Sequence, residues 1–530
     1  MAIPDQLTAE SAAELTERIY KRLDARRADI DDLERSYEGK RNLQFATDAW
    51  MEANADRYAF FSDNWCATVS DAENERIQVN GIILPTDRDT AAVVDPEGHQ
   101  PRDSEAEALW DTWLRNECDM QSSQGFLQSL NTRRCYIMVW GDDEGEPVIT
   151  WEHPSNVEIE YDWMTGRKRL AGIKTWVDEE YEYATLYTRT EVWKFQRDRA
   201  GKPEDTASQM EQRKIAAGAT GSWEERQFRD WENDVAYGPN PLGVVPIVEL
   251  PNRPRLQGEP VSEIEKVGPL QDAINLLWSF ALFAADYASM DARVITGANP
   301  PMRKRVDPVS GKELPPVPIT MKELNEARMA VFADPNAKID SWKAAALEPF
   351  TNMIDVAVSH IAAQSRTPPH YLVAGKGMSN MAADALKAAE IGLVKKVQEF
   401  ELPASAALRE VFSLIARVQQ KDKLADNMRL ATISWANPEQ RSESQLADAL
   451  LKKRQMGYPF EWILEKDGVD PSDRARILEM KTREEQATAR AALAGAMTGA
   501  YEDDGFTGDD SDRVPAGAGG GNSSGDGGDS

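Results

Sequence analysis

The sequence predicts an α+β protein in which helices predominate. Apolar residues recur at helical spacing through most of the first 135 residues and again beyond residue 259, whereas they alternate with polar residues between residues 135 and 250. Of the 530 residues, 41% are hydrophobic and 28% are charged. These values are ordinary for a globular protein, and the length is sufficient for several domains.

The N-terminal part is predicted to be mainly helical. A helix over 8–36 is indicated by a partial apolar stripe that includes Ile19 and Leu23. Ser11 and Glu14 fit a capping box at its start. After this helix the pattern predicts, in order, a helix over about 48–74, a strand over 76–84, a loop over 85–104 and a helix over 105–135.

A period of two identifies a β-rich subdomain between residues 135 and 250. Turns rich in glycine and aspartate separate the alternating runs, which is typical of antiparallel strands. The predicted strands are 136–140, 147–151, 172–177, 183–187, 191–195 and 246–250. A polar insertion is expected over 198–222.

Two central helices are predicted, with a segment of different character between them. The first spans 259–291 with Ser262 as its N-cap, and the second spans 347–365. The segment 292–346 is predicted to be a loop domain. Its first part, 292–322, contains six prolines, and six basic residues against two acidic ones.

The basic residues of this segment stand out in an acidic protein. They include Arg303, Lys304, Arg305 and Lys312. The run from Arg303 to Arg305 could contact phosphates or form a surface on which a protein partner docks, and the sequence favours neither.

The segment 366–381 reads as a hinge between two substantial helices. Pro368 and Pro369 end the helix that arrives, because proline lacks an N–H group and restricts the residue before it. Gly375 and Gly377 leave the backbone free to turn. A polar cap for the next helix follows them.

The C-terminal third is predicted to be helical again. A long helix from residue 382 contains Pro403, which is expected to kink it, and a strand over 429–435 follows. Helices are predicted over 439–456, 459–467 and 471–494. From Tyr501 the chain is rich in Gly, Ser and Asp, a composition that predicts disorder.

The sequence contains no recognisable catalytic, metal or cofactor site. The glycine-rich stretch 375–379 lacks the spacing of a phosphate-binding loop, and no Gly-x-Ser-x-Gly motif is present. Four histidines and three cysteines are scattered without metal-ligand spacing. We therefore expect no catalytic residue, no metal and no cofactor.

Net charge and hydropathy limit the kinds of partner that the protein can have. The net charge of −29 argues against tight binding of nucleic acid, although an acidic surface would let DNA slide past without adhering. The longest uncharged apolar stretch, 273–285, is too short to span a bilayer, and the first residues lack the pattern of a signal peptide. No membrane contact is expected.

Several stretches carry a family resemblance by their order and spacing. They are the Tyr-x-Gly-Lys segment within 33–40 followed by 45–46, the block 64–81, the block 258–275, and 367–379 followed by 382–386. Together these stretches resemble the portal proteins of tailed bacteriophages, specifically the siphovirus portal family of phages of Gram-positive hosts. The resemblance extends over roughly residues 15–490.

The resemblance implies a portal fold that assembles as a ring around a central channel. It assigns a wing over 1–258 with the β-rich subdomain 135–250, stem helices 259–291 and 347–365, a clip over 292–346, a tunnel loop over 366–381, a kinked helix and strand that return through the wing over 382–440, crown helices over 441–495 and a disordered acidic tail over 496–530.

The resemblance also implies which residues act. Lys376, Met378, Ser379 and Asn380 would face DNA in the channel, and Arg303, Lys304, Arg305 and Lys312 would contact DNA, the terminase or an adaptor at the clip. Pro368, Pro369, Gly375, Gly377 and Pro403 would be hinge positions.

The partners that the resemblance implies are those of a head–tail connector. A homo-oligomer of about twelve copies would occupy one capsid vertex and nucleate head assembly. Its partners would be double-stranded DNA, the large terminase, the major capsid and scaffolding proteins, and a head-completion adaptor. It would reside in the virion, and in the host cytoplasm during assembly.

Two other classes of protein fit the residues less well. An acidic helical scaffold or adaptor would share the composition but would form no closed ring with a channel. An enzyme with an unrecognised site would reveal itself by an activity that a single carboxylate substitution abolishes.

Overall fold

A computed structural model describes most of the chain as two compact units, residues 1–471 and 472–530. The described residues are 3–4, 6–41, 63–85, 104–198, 221–229, 234–289, 293–296, 302–306, 312–318, 329–332, 336, 346–372, 383–439, 443–469 and 471–499. The predicted segment 48–62 and the predicted tail beyond Tyr501 lie outside them.

Helices predominate in the described residues, which confirms the predicted α+β class. The helices of the first unit are α1 (Ala9–Tyr37), α2 (Trp65–Asn74), α3 (Ser104–Arg115), α4 (Cys118–Thr132), α5 (Gly268–Ser289), α6 (Glu348–Ser365), α7 (Pro369–Leu372), α8 (Ala383–Val418), α9 (Asp422–Asn427), α10 (Glu443–Gln455) and α11 (Phe460–Asp467). What is described of the second unit belongs to α12 (Pro471–Gly499).

The strands of the first unit are short and mostly antiparallel. They are β1 (Val79–Ile83), β2 (Arg134–Gly141), β3 (Pro147–Glu152), β4 (Val157–Tyr161), β5 (Arg169–Val177), β6 (Tyr181–Thr188), β7 (Glu191–Asp198), β8 (Glu224–Glu225), β9 (Tyr237–Pro239), β10 (Ile247–Pro251), β11 (Arg293–Thr296), β12 (Met302–Val306), β13 (Glu313–Pro318), β14 (Met329–Phe332) and β15 (Thr432–Trp435). The prediction missed β4, β8 and β9, and it also missed β11 to β14.

Helix α1 begins one turn earlier than its predicted capping box. The side chain of Thr8 accepts a hydrogen bond from the backbone N–H of Ser11, and the Ser11 hydroxyl oxygen accepts one from the N–H of Thr8. The predicted pair, Ser11 with Glu14, was therefore wrong. Thr8 is the first residue from which a side chain can reach the free N–H groups of this helix start.

The largest sheet carries α1 on one face. Its strand order is β4-β5-β6-β7-β8, with β9 also paired to β7. Ile19 and Leu23 of α1 are fully buried and belong to one core with Ile173, Leu186 and Phe195 of the sheet. Burial of a large apolar side chain contributes about 1.5–3 kcal/mol, so this face fixes α1 to the sheet.

A row of arginines on α1 reaches the edge strand of the same sheet. Arg22 forms ion pairs with Glu158 and Glu160, and Arg26 pairs with Glu158. The arginine side chains are 42% and 18% exposed. We call these contacts the α1 ion-pair row.

The main core surrounds α8 and the three-stranded sheet β10-β2-β3. Phe400 and Phe412 of α8 are fully buried there. The ring of Phe400 lies 5.6 Å from that of Phe126, and the ring of Phe412 lies 5.5 Å from that of Trp113. Helix α8 is therefore held in place along its C-terminal half by aromatic packing.

The predicted helix 105–135 is two helices. Glu117, between α3 and α4, has a left-handed backbone with φ of 54°, which a continuous helix cannot contain. Both helices still bury an aromatic residue in the main core, Trp113 and Phe126. The apolar spacing survives across the break, and this is why the sequence suggested one helix.

Strands from distant parts of the chain form a small antiparallel sheet. Val79 pairs with Trp435, and Ile83 pairs with Thr432. The predicted strands 76–84 and 429–435 are thus present, each shorter than expected. Helix α2 precedes this sheet, and its N-cap is Asn64, whose side chain accepts from the N–H groups of Cys66 and Ala67.

The central helices α5 and α6 pack against each other through a separate core. Ile274 of α5 and Val358 and Ile361 of α6 are buried in it. Helix α5 starts at Gly268, so Ser262 is not its N-cap. The Ser262 hydroxyl instead donates to the carbonyl of Asn131 and accepts from the N–H of Ile264.

The segment between the central helices contains strands where a loop domain was predicted. Strand β12 pairs antiparallel with β13, and β11 pairs in parallel with β14. Strand β13 contains three prolines, which a strand accepts at an edge where no N–H is required. Proline content alone was therefore a misleading sign of irregular structure.

No helix among the described residues is long and apolar enough to cross a membrane.

Candidate functional site

The residues predicted to face a channel lie between α7 and α8, outside the described residues. They are Lys376, Met378, Ser379 and Asn380, together with Gly375 and Gly377. We call the segment 373–382 the inter-helix loop. The structure describes the residues on either side of it. The geometry of those residues determines where the loop leaves and re-enters the fold.

The upstream end is tightly built. Helix α6 ends at Ser365, whose hydroxyl donates to the carbonyl of Ile361, and its oxygen lies 3.0 Å from Thr367 Oγ1. Arg366 then takes a left-handed backbone with φ of 57°. Pro368 is buried and Pro369 opens the single-turn helix α7, so the chain turns sharply before the loop begins.

An ion pair joins the end of α6 to the middle of α8. Arg366 Nη1 and Nη2 donate to Glu399 Oε1 and Oε2 of α8 at 3.0 and 2.7 Å. The hydrogen bond from Arg366 holds the pKa of Glu399 below its usual value. A two-point contact of this kind fixes both distance and orientation between α6 and α8.

A fully buried charge cluster lies deeper along α8. Lys396 Nζ is 2.8 Å from Glu73 Oε2 and 2.7 Å from Glu263 Oε2, and the three side chains are 0%, 0% and 2% exposed. We call Lys396, Glu73 and Glu263 the buried triad. Glu73 comes from α2 and Glu263 from the segment before α5, so one lysine connects three elements.

The two carboxylates of the triad have unequal surroundings. Glu263 Oε1 also accepts a hydrogen bond from Asn252 Nδ2 at 3.0 Å and lies 3.2 Å from Arg253 Nε. Glu73 Oε1 accepts no hydrogen bond from any described residue. Glu263 is therefore the better compensated carboxylate.

The pKa values follow this asymmetry. Burial raises the pKa of Glu73 to about 7, against the opposing attraction of Lys396. Burial also acts to raise the pKa of Glu263, but Lys396 and Arg253 together hold it below its usual value. Burial alone would lower the pKa of Lys396, and the two carboxylates reverse that effect.

The triad anchors α8 to α2 and to the segment before α5. The described residues around it do not suggest a catalytic role. Sequence analysis missed it, although one signal was present. Leu393, Val397 and Phe400 form the apolar stripe of α8, and Lys396 lies at the same helical spacing as they do. A charged residue within an apolar stripe requires a buried partner, and the sequence did not indicate which.

The basic residues predicted at the clip lie on or next to one hairpin. Arg303, Lys304 and Arg305 are in β12, where Arg303 pairs with Val317 and Arg305 with Leu314. Lys312 is exposed at the start of the returning strand. Their contact with a partner stays a prediction.

The other predictions about chemistry can be placed more briefly. Pro403 lies inside α8, and the kink expected there stays a prediction. Within the part of the chain that the structure describes, no group of three or more His, Cys, Asp or Glu side chains could hold a metal ion.

Comparison with known proteins now defines the class. A family model described as "Phage portal protein, SPP1 Gp6-like" matches residues 16–483. Because this match covers far more than half of the chain, the protein belongs to the phage portal protein family. It is thus a portal protein of a bacteriophage, a structural component of the virion.

Curated relatives agree with this assignment. The portal protein of Mycobacterium phage D29 is 29% identical over 422 residues, which cover 75% of this chain and 77% of the relative. The portal protein of Mycobacterium phage L5 is 30% identical over 400 residues, 72% of each chain.

Solved structures show a more distant likeness. A chain in the virion of a native gene transfer agent particle aligns with a TM-score of 0.34 and 12% identity, over 82% of this chain and 90% of that one. A chain in the neck of that particle, computed with C12 symmetry, gives 0.34 and 10%, over 79% and 93%.

Proposed function

We propose that this chain forms a closed ring at one capsid vertex and conducts double-stranded DNA during packaging and ejection. The observation that carries the proposal is the family match over 16–483. In this role the ring, of about twelve copies, nucleates head assembly and docks the large terminase and a head-completion adaptor. It meets the major capsid and scaffolding proteins in the host cytoplasm and remains in the virion.

The parts of the chain take the following roles in this proposal. Residues 1–258 form the wing, α5 and α6 the stem, 292–346 the clip and 441–495 the crown, with 382–440 returning through the wing. The tunnel loop includes the inter-helix loop, and Lys376, Met378, Ser379 and Asn380 face the DNA. Arg303, Lys304, Arg305 and Lys312 contact DNA, the terminase or the adaptor at the clip.

Two physical features support conduction of DNA. The net charge of −29 gives the ring little attraction for phosphates, so that DNA can move without adhering. The inter-helix loop is attached at both ends to anchored helices, through the Arg366–Glu399 pair and the buried triad. A loop on rigid supports can change position while its supports stay in place.

Native mass spectrometry of the untagged protein, with negative-stain images of the same sample, tests the proposed assembly. We expect a closed ring of about twelve copies with a central hole. A stable small oligomer of another symmetry would favour a scaffold without a channel.

Deletion of residues 375–380 tests the proposed loop. The variant should still form the ring, because the helix anchors lie outside the deletion, while heads assembled with it should contain much less DNase-protected DNA. Normal packaging by this variant would exclude a role for the loop in DNA movement.

A further inference from the structure

One buried arginine contacts both flanks of the inter-helix loop. Arg76 follows α2, and its side chain is only 6% exposed. Its Nη2 donates to the Tyr371 hydroxyl at 2.6 Å and lies 3.4 Å from Glu390 Oε1. Tyr371 is in α7, immediately before the loop, and Glu390 is in α8, after it.

The same guanidinium reaches a third segment. Arg76 Nη1 donates to the carbonyl oxygen of Pro438 at 3.0 Å. Pro438 lies between β15 and α10, where the chain passes towards its C-terminal helices. Arg76 therefore lies where the segment before the loop, the segment after it and the approach to α10 come together.

Neighbouring side chains add further contacts between the two flanks of the loop. His370 Nε2 lies 3.6 Å from Glu390 Oε1, and its ring centre lies 4.8 Å from that of Tyr371, with the two ring planes tilted by 40°. The Arg76 guanidinium lies 5.8 Å from the centre of the Tyr371 ring. The flanks of the loop thus also touch each other, and Arg76 connects both of them to the end of α2 and to Pro438.

The chemistry of this contact requires an arginine. A guanidinium presents five N–H donors in a rigid planar fork, so it can meet a hydroxyl, a carboxylate and a carbonyl at once. A lysine ammonium is a point charge on a flexible stem and cannot hold three acceptors in a fixed relative geometry.

We propose that Arg76 is a positioning residue that sets the spacing of the two ends of the inter-helix loop and couples them to the segment that leads to α10. The positioning role of Arg76 is supported by the contacts above, and its consequence for DNA movement rests on the proposed function. A shift of the C-terminal helices that displaces Pro438 would act on the loop through the same guanidinium.

A purely stabilising role for Arg76 is the alternative, and a matched control distinguishes the two. Arg197 in β7 is buried to a similar degree, with 4% of its side chain exposed, and pairs with Glu182 at 2.6 Å. It contacts neither flank of the loop. The pair of variants Arg76→Gln and Arg197→Gln therefore removes similar buried ionic contacts at two different places.

Limited trypsin digestion of the purified full-length protein, whatever its oligomeric state, supplies the readout. Within 373–382, Lys376 is the one residue after which trypsin cleaves, and Arg213 provides a reference site elsewhere in the same chain. We expect Arg76→Gln to raise the rate of cleavage after Lys376, relative to Arg213, by about tenfold. The rate of proteolysis follows the population of molecules in which the ends of the loop are no longer held by residue 76. Arg197→Gln should leave this ratio unchanged.

Either of two results would overturn the positioning role. One is an unchanged ratio in Arg76→Gln, and the other is an equal rise in both variants. If Arg76→Gln fails to assemble, Tyr371→Phe removes a single hydrogen-bond acceptor from Arg76 and should raise the same ratio to a smaller extent. An unchanged ratio in that variant would also count against the proposal.

The DNA-related part is tested separately in heads assembled with each variant. We expect less DNase-protected DNA with Arg76→Gln than with Arg197→Gln, and partial rescue by Arg76→Lys. If the wild-type chain forms no ring, the proposed function fails while the digestion result still decides the role of Arg76. If rings form and the ratio is unchanged, only the Arg76 proposal fails.

Discussion

The α1 ion-pair row and the buried triad both pair basic side chains with glutamates, but the basic side chains differ in exposure. In the row, Arg22 is 42% exposed and faces two carboxylates at the edge of the large sheet. In the triad, Lys396 is 0% exposed and also faces two carboxylates. Each of these two cations faces two carboxylates, but they differ strongly in their access to water.

Water screens the row and cannot reach the triad. An exposed ion pair gains about 0–1 kcal/mol, because high dielectric and side-chain entropy cancel most of the attraction. Inside a core, ions have already lost their hydration, and removal of one partner leaves the other uncompensated. The row can therefore lose a member at little cost, whereas the triad acts as a unit.

The largest effect is expected for Lys396→Met. This change leaves two buried carboxylates without their shared cation, and the free energy of unfolding should fall by about 3–5 kcal/mol. Urea denaturation followed by tryptophan fluorescence measures it. Lys395→Met, on the exposed side of the same turn, is the control and should stay within about 0.5 kcal/mol of the wild type. Similar values for both variants would remove the contrast between buried and exposed charges.

Glu73→Gln should test the difference between the buried triad and the α1 ion-pair row through the pH dependence of folding stability. The pKa of Glu73 is raised to about 7 in the folded state, above its ordinary value, so its protonation stabilises the fold at low pH and this contribution is lost as pH rises through about 7. The stability of the wild type relative to the variant should therefore fall between about pH 4.5 and pH 7. The lowered pKa of Glu263 places its own titration below this window.

Thermal melting of both proteins across that pH window gives the measurement. Glu160→Gln in the α1 ion-pair row is the control, and its melting difference from the wild type should not show this fall. A wild-type advantage that increases with pH would contradict the assigned direction of the Glu73 pKa shift.

An intermediate effect is expected for Arg366→Ala. This pair with Glu399 is bidentate, but its side chains are 35% and 50% exposed. We expect a loss of about 1 kcal/mol in urea denaturation, between the triad and the row. A loss as large as that of Lys396→Met would show that geometry outweighs burial here.

The smallest effect is expected for Arg22→Ala. Its loss should not exceed about 1 kcal/mol and should shrink in high salt, because the row is accessible to counterions. Melting temperatures at low and high ionic strength test this. A loss from Lys396→Met that shrank equally with salt would mean that the triad is not shielded from solvent.

Local pattern predicted elements well where one face alone was buried. Helix α1, which buries one face on the large sheet, followed its apolar stripe to within a residue at each end. Strand β4 was missed because it reads Val-Glu-Ile-Glu-Tyr, with glutamates at alternate positions. Arg22 and Arg26 of α1 cover those glutamates, so a strand that is half acidic is nevertheless buried, and no local pattern shows this.

The residues that support the candidate site could not be predicted from local sequence pattern, for a different reason. The hinge, its prolines and its flanking helices were visible in the sequence, but Lys396 and Arg76 were not recognised. Their partners, such as Glu73, Glu263 and Glu390, are far away along the chain. Pairing of distant charges depends on the completed fold, and a single sequence contains no local record of it.

The packing of α5 against α6 has a consequence for insertions in the segment between them. Because these two helices share one core, the segment 292–346 leaves from and returns to a single helix pair, as one excursion of the chain. The entropy of closing such an excursion grows only with the logarithm of its length, and each doubling costs about 0.6 kcal/mol. Insertions at the far end of the excursion, around the hairpin of β12 and β13, are thus inexpensive to accommodate. The region proposed to meet the packaging machinery could therefore be lengthened at little cost in free energy while the helix pair at its base stays the same.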